Sequence, residues 1–272
     1  MLAFGILGPL EARRDGVELA LGGRAQRAVL TLLLLEAGRV LSIDRIADEL
    51  YAGAAPATAV TQVHRQISEL RRVLGDGAIE TRPPGYVIQV RAGGLDLRSF
   101  ETLCARCEDA EPAAVVATLD EALALWRGDP LADLAAEAFA QRPIARLQEV
   151  RLRALERRLE ARLALGRHAD TIAELRDLAA EHPLRERLRE LLMLALYRAG
   201  RQVEALAVYR ETRESLVEAF GVEPGDGLRA LEQAILRRDP ELAPAIPRRN
   251  AVERAAVLVA GRDLARLRRL AA

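Results

Sequence analysis

Shortly beyond the end of an amphipathic helical stretch, Arg82-Pro83-Pro84-Gly85 separates two short runs of strand-forming residues, Ile79 to Thr81 and Tyr86 to Val90. Proline fixes φ and has no N–H to give to a ladder, so such a run reads as a turn closing a β-hairpin. The helix before it spans Thr58 to Leu74 and stops at Gly75. At 100° per residue Val60, Val63, Ile67, Leu70 and Leu74 fall within about 80° of one another and form a core stripe. Opposite them lie Thr58, Thr61, Arg65, Ser68 and Arg72, with Glu69 beside them; His64 and Arg71 flank one side, Gln62 and Gln66 the other. Upstream, residues 3–12 read as a short strand broken at Gly8-Pro9, and Val17 to Leu21 as a second. A helix follows from about Arg24 to Ala37, ended by Gly38. Another runs to Tyr51, with Ser42 as its N-cap. The order strand, strand, helix, helix, helix, hairpin predicts a winged helix-turn-helix over residues 1–92, bounded at Ala92-Gly93-Gly94.

From Leu97 to about Arg238 the pattern is helical, with breaks expected at Pro112, Gly128-Asp129-Pro130, Pro143, Gly166, Pro183, Gly200 and Gly221 to Gly225. Leu165-Gly166-Arg167 returns as Ala199-Gly200-Arg201, and Ala164 to Leu175 parallels Arg198 to Tyr209. A helix-turn-helix period of 34 residues is the tetratricopeptide signature. The expected fold class is therefore mainly α: an N-terminal winged helix-turn-helix with small β-sheets, then an all-α tetratricopeptide-like domain over residues 96–240. Residues 241–272 read as a linker and basic tail. In that tail Ala255 to Ala260 has a strand pattern and Arg262 to Ala271 a helical one, which fits either the start of a further region or a tail docking back on the repeats.

Formal charge is zero, so overall basicity does not point to nucleic acid. The distribution is uneven: residues 1–95 carry +1, 96–240 carry −5 and 241–272 carry +4. A DNA-binding surface needs its guanidinium groups on one face, not a basic domain. Every basic side chain other than histidine is arginine. No run approaches the ~18 apolar residues of a membrane span, and no basic segment precedes an apolar core at the N-terminus, so a cytoplasmic address and no membrane partner are expected. Cys104 and Cys107 have CxxC spacing but no second pair, and a structural zinc needs four ligands; buried small hydrophobes is the better reading. His64, His168 and His182 form no metal or triad spacing, and no phosphate-binding loop or nucleophile elbow occurs. No enzymatic activity, cofactor or metal is expected.

The polar face of the 58–74 helix suits a major groove. Arginine bonds guanine bidentately and glutamine pairs with adenine, while serine, threonine and arginine also take phosphates. Residues near the start of a recognition helix reach bases, which assigns Thr61 and Arg65 to bases and Arg71 and Arg72 to phosphates. Thr58, Gln62, His64 and Ser68 complete the expected DNA-binding set. On the hairpin, Arg82 meets a phosphate, and Tyr86 packs under the wing with its hydroxyl near the backbone.

The run Thr81 to Val87, with Glu69 to Gly75 before it and Phe4 to Glu11 at the start, resembles the actinobacterial antibiotic-pathway regulators, the SARP family. So do Ala122-Leu123-Ala124-Leu125-Trp126-Arg127-Gly128, His182 to Glu186, Leu194 to Arg201 and Gly221 to Gly225. The resemblance covers roughly residues 3–240. It implies a response-regulator-type winged helix followed by a bacterial transcriptional activation domain. It further implies an activator of a biosynthetic gene cluster that binds direct repeats in double-stranded promoter DNA, pairs as a homodimer there and helps recruit RNA polymerase holoenzyme. Two departures stand out. Val63-His64-Arg65 replaces a Leu-Gln-Ser/Thr run common in relatives, so the DNA sequence read does not carry over. Tyr51 stands where many have tryptophan, near the loop expected to face polymerase. A different reading remains open: a helical-repeat scaffold for protein interaction or ligand sensing, with the winged helix not the main effector.

Overall fold

The N-terminal strands β1 (Leu2–Gly5), β2 (Glu11–Arg14) and β3 (Val17–Glu18) form an antiparallel sheet in that order. The pairing places Phe4 opposite Ala12, both buried, while Arg13 and Arg14 on β2 are exposed. Helix α1 (Arg24–Leu35) follows, buried over Ala28 to Leu34. A two-residue strand β4 (Leu41–Ser42) leads into α2 (Ile43–Leu50), whose first turn is capped by the Ser42 hydroxyl accepting from the Arg45 N–H at 3.2 Å. Helix α3 (Ala59–Leu74) packs against α1 and α2. The hairpin is β5 (Ile79–Arg82) and β6 (Gly85–Ile88), and the second sheet has the order β4-β6-β5.

This computed structural model describes residues 1–243. The strand and helix patterns expected within residues 255–271 lie outside the described residues. Clustering of contacts divides the chain into two units: Met1–Ala110 with Ala117–Leu155, and Glu111–Val116 with Glu156 onward.

The first unit extends beyond the hairpin into α4 (Asp96–Ala105), the later part of α5 (Pro112–Leu123), a 3-10 turn at Ala132–Leu134 and the first half of α6 (Ala138–Ala164). Asp96 holds this extension to the N-terminal strands. Its carboxylate accepts from the N–H groups of Ile6 at 2.9 Å, Leu7 at 3.0 Å and Leu97 at 2.8 Å, and from Arg127 at 3.2 Å. Arg127 donates its own N–H to the Leu7 carbonyl at 2.8 Å, and the Leu131 N–H reaches Gly8 at 2.7 Å. Asp133 accepts from the Leu10 N–H and from Arg27. Buried backbone donors are costly when unpaired, and these two carboxylates satisfy the donors of a loop that no strand partner covers. Phe100 meets Trp126 edge to face at 5.4 Å, with the Arg151 guanidinium 5.1 Å from the indole. Cys107 is buried in the turn after α4, and Cys104 is half-buried.

Pro143 does not break its helix, contrary to the sequence expectation: α6 runs through it. It is the sixth residue of α6, past the first turn, so the helix forgoes there the bond to the Phe139 carbonyl.

The second unit contains α7 (His168–Glu181), α8 (Glu186–Arg198), α9 (Gln202–Phe220) and α10 (Asp226–Arg237), with the end of α6. Gly166 and Gly200 share φ values of 80° and 79°. Side chains at this φ are strained, which explains glycine at both. The turn bonds repeat as well: Arg167 donates to the Arg162 carbonyl at 3.0 Å, Arg201 to Leu196 at 2.9 Å. Neighbouring helices α7, α8 and α9 pack in sequence, giving a tetratricopeptide-like stack, and α10 lies on α8 and α9. Glu156 is buried and takes two bonds from Arg185, at 2.7 and 3.1 Å. His168 is buried at the start of α7, and its Nδ1 has no hydrogen-bond partner among the described residues.

Candidate DNA-binding surface

The core stripe of α3 is Ala59, Val63, Ile67, Leu70 and Leu74. Val60, expected in that stripe, is 40% exposed, and Ala59 takes its place in the core at 3%. At about 100° per residue the two stand at opposite edges of the stripe, and the packing turns the Ala59 edge inward and the Val60 edge outward. The opposite face is open. Thr58, Thr61, Gln62, His64, Arg65, Ser68 and Arg72 are all exposed. Arg65 makes no hydrogen bond or ion pair with any described residue. The Ser68 hydroxyl donates to the His64 carbonyl at 2.9 Å, leaving its oxygen free to accept. Arg72 pairs with Glu69 at 2.8 Å on the surface. Thr58 occupies the N-cap position, but its side chain makes no capping bond.

The hairpin brings a further group together. Its strands pair Ile79 with Ile88, Thr81 with Tyr86 and Arg82 with Gly85, so only Pro83 and Pro84 turn the chain. The turn is anchored to α2, because the Ile43 N–H donates to the Pro84 carbonyl at 3.3 Å. Strand β4 was not visible in the sequence pattern, yet it joins wing to helix-turn-helix, pairing Leu41 with Tyr86 and Ser42 with Gly85. A Cβ at Gly85 would collide with the Leu41 carbonyl and lie 2.7 Å from the Ser42 Cα, so this position admits glycine only.

Arg71 and Tyr86 turn out to be the hinge pins of this surface. Arg71 Nε donates to the Ile79 carbonyl at 2.9 Å and its second nitrogen to the Thr81 hydroxyl at 2.8 Å. The guanidinium stands 5.6 Å from the Tyr86 ring centre. Its donors therefore tie α3 to the wing. Tyr86, expected among the DNA contacts, is 93% buried by burial against its neighbours, leaving 7% exposed; its ring meets His64 edge to face at 6.3 Å. The physical reason is alternation along β6, which turns Tyr86 toward α3. Arg82 is exposed and pairs with Glu80 at 2.7 Å, one strand residue removed on the same face.

A three-helix core with an exposed polar face on α3, a glycine-locked wing and a following helical stack define a winged-helix protein with a tetratricopeptide-like module. Comparison with known proteins places it more closely. Residues 95–236 match the bacterial transcriptional activator domain family. The chain is 46% identical over 247 residues to the regulatory protein AfsR of Streptomyces coelicolor, covering 89% of this chain and 25% of that protein. It is 37% identical to the regulatory protein DnrI of Streptomyces peucetius, covering 90% of this chain and 97% of DnrI. A solved structure titled Mycobacterium tuberculosis EmbR in complex with low affinity phosphopeptide aligns with a TM-score of 0.84 at 33% identity, over 96% of this chain and 71% of that one. The chain belongs to the SARP family of regulators that carry this domain. It spans about a quarter of the length of the AfsR proteins it matches. These relatives are named as regulators, not enzymes.

Proposed function

We propose that this chain is a sequence-specific, promoter-binding transcriptional activator whose α3 enters the major groove of double-stranded DNA. The observation that carries the reading is the open row Thr61, Gln62, His64, Arg65 and Ser68 on a helix locked to a wing by Arg71. Thr61 and Arg65 read base edges, with Gln62 and His64 beside them. Ser68, Arg72 and Thr58 take phosphates on the helix, and Arg82 takes one at the wing. Both surface arginine pairs are single exposed ion pairs worth little, so Arg72 and Arg82 exchange Glu69 and Glu80 for phosphate at small cost.

In this reading residues 1–92 form the DNA-binding domain and 96–240 the activation domain, with 241–272 a basic tail. Two protomers lie head to tail on direct repeats, since a direct repeat lacks a twofold axis. The loop after α2 and the helical module contact RNA polymerase holoenzyme. Among the described residues no helix is long and apolar enough to cross a membrane, and the chain works in the cytoplasm. The test is a salt titration of binding to genomic fragments. Phosphate contacts make log affinity fall linearly with log salt. Arg65→Ala is expected to erase preference between the selected site and a base-substituted one by roughly tenfold or more, while Arg82→Ala weakens both alike and lowers the salt slope by about 1. Absence of sequence preference at every salt concentration sinks the reading.

A further inference from the structure

The first unit contains a cleft of about 720 Å³ that the DNA-binding reading does not use. Its floor is apolar: Leu41, Leu97, Phe139 and Leu147 are buried there, and Leu35 is half-buried. Five guanidinium groups stand around it, on Arg39, Arg45, Arg98, Arg142 and Arg146. Three carboxylates face them, on Glu36, Glu49 and Glu101. Glu36 is taken by Arg45 at 3.0 Å and Arg39 at 3.7 Å, and Glu101 stands 3.8 Å from Arg146. Arg98 donates to the Ala37 carbonyl. Arg142 makes no hydrogen bond or ion pair with any described residue, nor does Glu49. The lining thus carries an excess of two positive charges, with one uncommitted guanidinium on Arg142 and one uncommitted carboxylate on Glu49.

We propose that this cleft binds a small amphipathic anion: one carboxylate on an apolar body of about ten carbons. The volume falls in the range of small-molecule sites, roughly 300–1,000 Å³, and the lining sets charged side chains around the buried apolar ones. The floor takes the apolar body. Arg142, with Arg146 one helical turn along α6, takes the carboxylate in a charge-assisted bond. A neutral apolar occupant would cover Arg142 without pairing it, which is costly. The chain's own residues 241–272 carry +4, the same sign as the rim, so they are disfavoured as the occupant.

Occupancy is coupled to the wing. Leu41 in the floor is also the β4 residue paired with Tyr86, and Arg45 on the rim belongs to α2, the first helix of the helix-turn-helix. An anion that favours one setting of these two elements shifts the α3–wing surface with them, by its differential affinity for the two settings. This coupling rests on the DNA-binding reading; the site itself does not.

The test uses the full 272-residue chain and 8-anilinonaphthalene-1-sulfonate as a fluorescent anion, with decanoate and decanol as competitors. One saturable site is expected, with decanoate displacing the probe roughly tenfold more effectively than decanol, the factor for about 1.4 kcal/mol of charge-assisted bonding. Arg142→Glu and Arg146→Glu each weaken probe binding about tenfold while melting like the parent. Arg210→Glu, exposed on α9, leaves it unchanged. No saturable site, equal displacement by acid and alcohol, or equal binding by all variants overturns the proposal. Saturating decanoate is expected to change affinity for the selected DNA site by roughly fivefold or more. An unchanged affinity overturns the coupling. A chain that binds no DNA site selectively overturns the DNA reading, while probe displacement still decides the cleft.

Discussion

Replacing Arg71 with alanine separates a structural pin from a phosphate anchor. The substitution removes a partly buried bond to the Ile79 carbonyl, an exposed bond to Thr81 and a guanidinium 5.6 Å from the Tyr86 ring. A bond from a charged donor contributes about 1.5 kcal/mol at the lower end, an exposed one less, and an exposed cation–π contact about 0.5 kcal/mol. The sum is about 2 kcal/mol, with the Ile79 carbonyl still able to reach water. For a cooperative unit of roughly 150 residues, each kcal/mol moves the midpoint by about 2–4 °C, so Arg71→Ala is expected to melt about 4–8 °C below the parent. The assay is thermal unfolding followed by circular dichroism, beside DNA binding by fluorescence anisotropy at several salt concentrations. Loosening the wing weakens all DNA sequences without removing a phosphate contact, so the slope of log affinity against log salt stays unchanged. An unshifted midpoint with a slope reduced by about 0.9 refutes this account and returns Arg71 to the phosphate role its sequence position suggested.

Three other expectations follow from the same packing. Gly85→Ala forces β6 away from Leu41 and Ser42; overpacking of this kind costs about 1–3 kcal/mol, read as a lower urea midpoint together with weaker DNA binding, and an unchanged midpoint contradicts the close approach. Asp96→Ala strands the N–H groups of Ile6 and Leu7 and is expected to cost about 3 kcal/mol, measured by chemical denaturation; a loss under about 0.5 kcal/mol, typical of a surface position, shows the carboxylate to be dispensable. His168 is held below its ordinary pKa of 6.5, first by burial and then by Arg198. The unfolded chain therefore takes up its proton at higher pH than the folded one, and stability present above pH 6.5 is lost as pH falls below it. His168→Gln is expected to flatten that part of the pH–stability profile of the helical unit, and an identical slope in parent and variant counts against the histidine as its source.

Much of the fold was legible because it is written in local periodicity. The 3.6-residue apolar rhythm marked α1, α2 and α3, the Pro83-Pro84-Gly85 turn marked the hairpin, and Gly166 and Gly200 marked two equivalent helical turns. The exposed face of α3 followed from its wheel, as the exposure of Thr61, Arg65 and Ser68 bears out. The errors lie where non-local packing chose among local options. Val60 and Ala59 stand at opposite edges of the stripe on the wheel, and only the neighbouring helices decide which edge is buried. Pro143 reads as a break, yet α6 runs through it. A two-residue strand such as β4 has no period to detect.

The sequence alone determined the order of elements, the polar face presented by α3 and the helical repeat, because each depends on spacing along one segment. The tertiary structure decided which donors on that face already have partners. Arg65, Arg71 and Arg72 share one helix and one chemistry, yet Arg71 alone is spent on the wing, because β5 and Tyr86 lie beside it. It also decided that Asp96 and Asp133 serve the loop at residues 6–10, and that arginines from three helices meet around one cleft. Such assignments depend on residues far apart in the chain arriving at one place, and spacing along the chain carries no record of that.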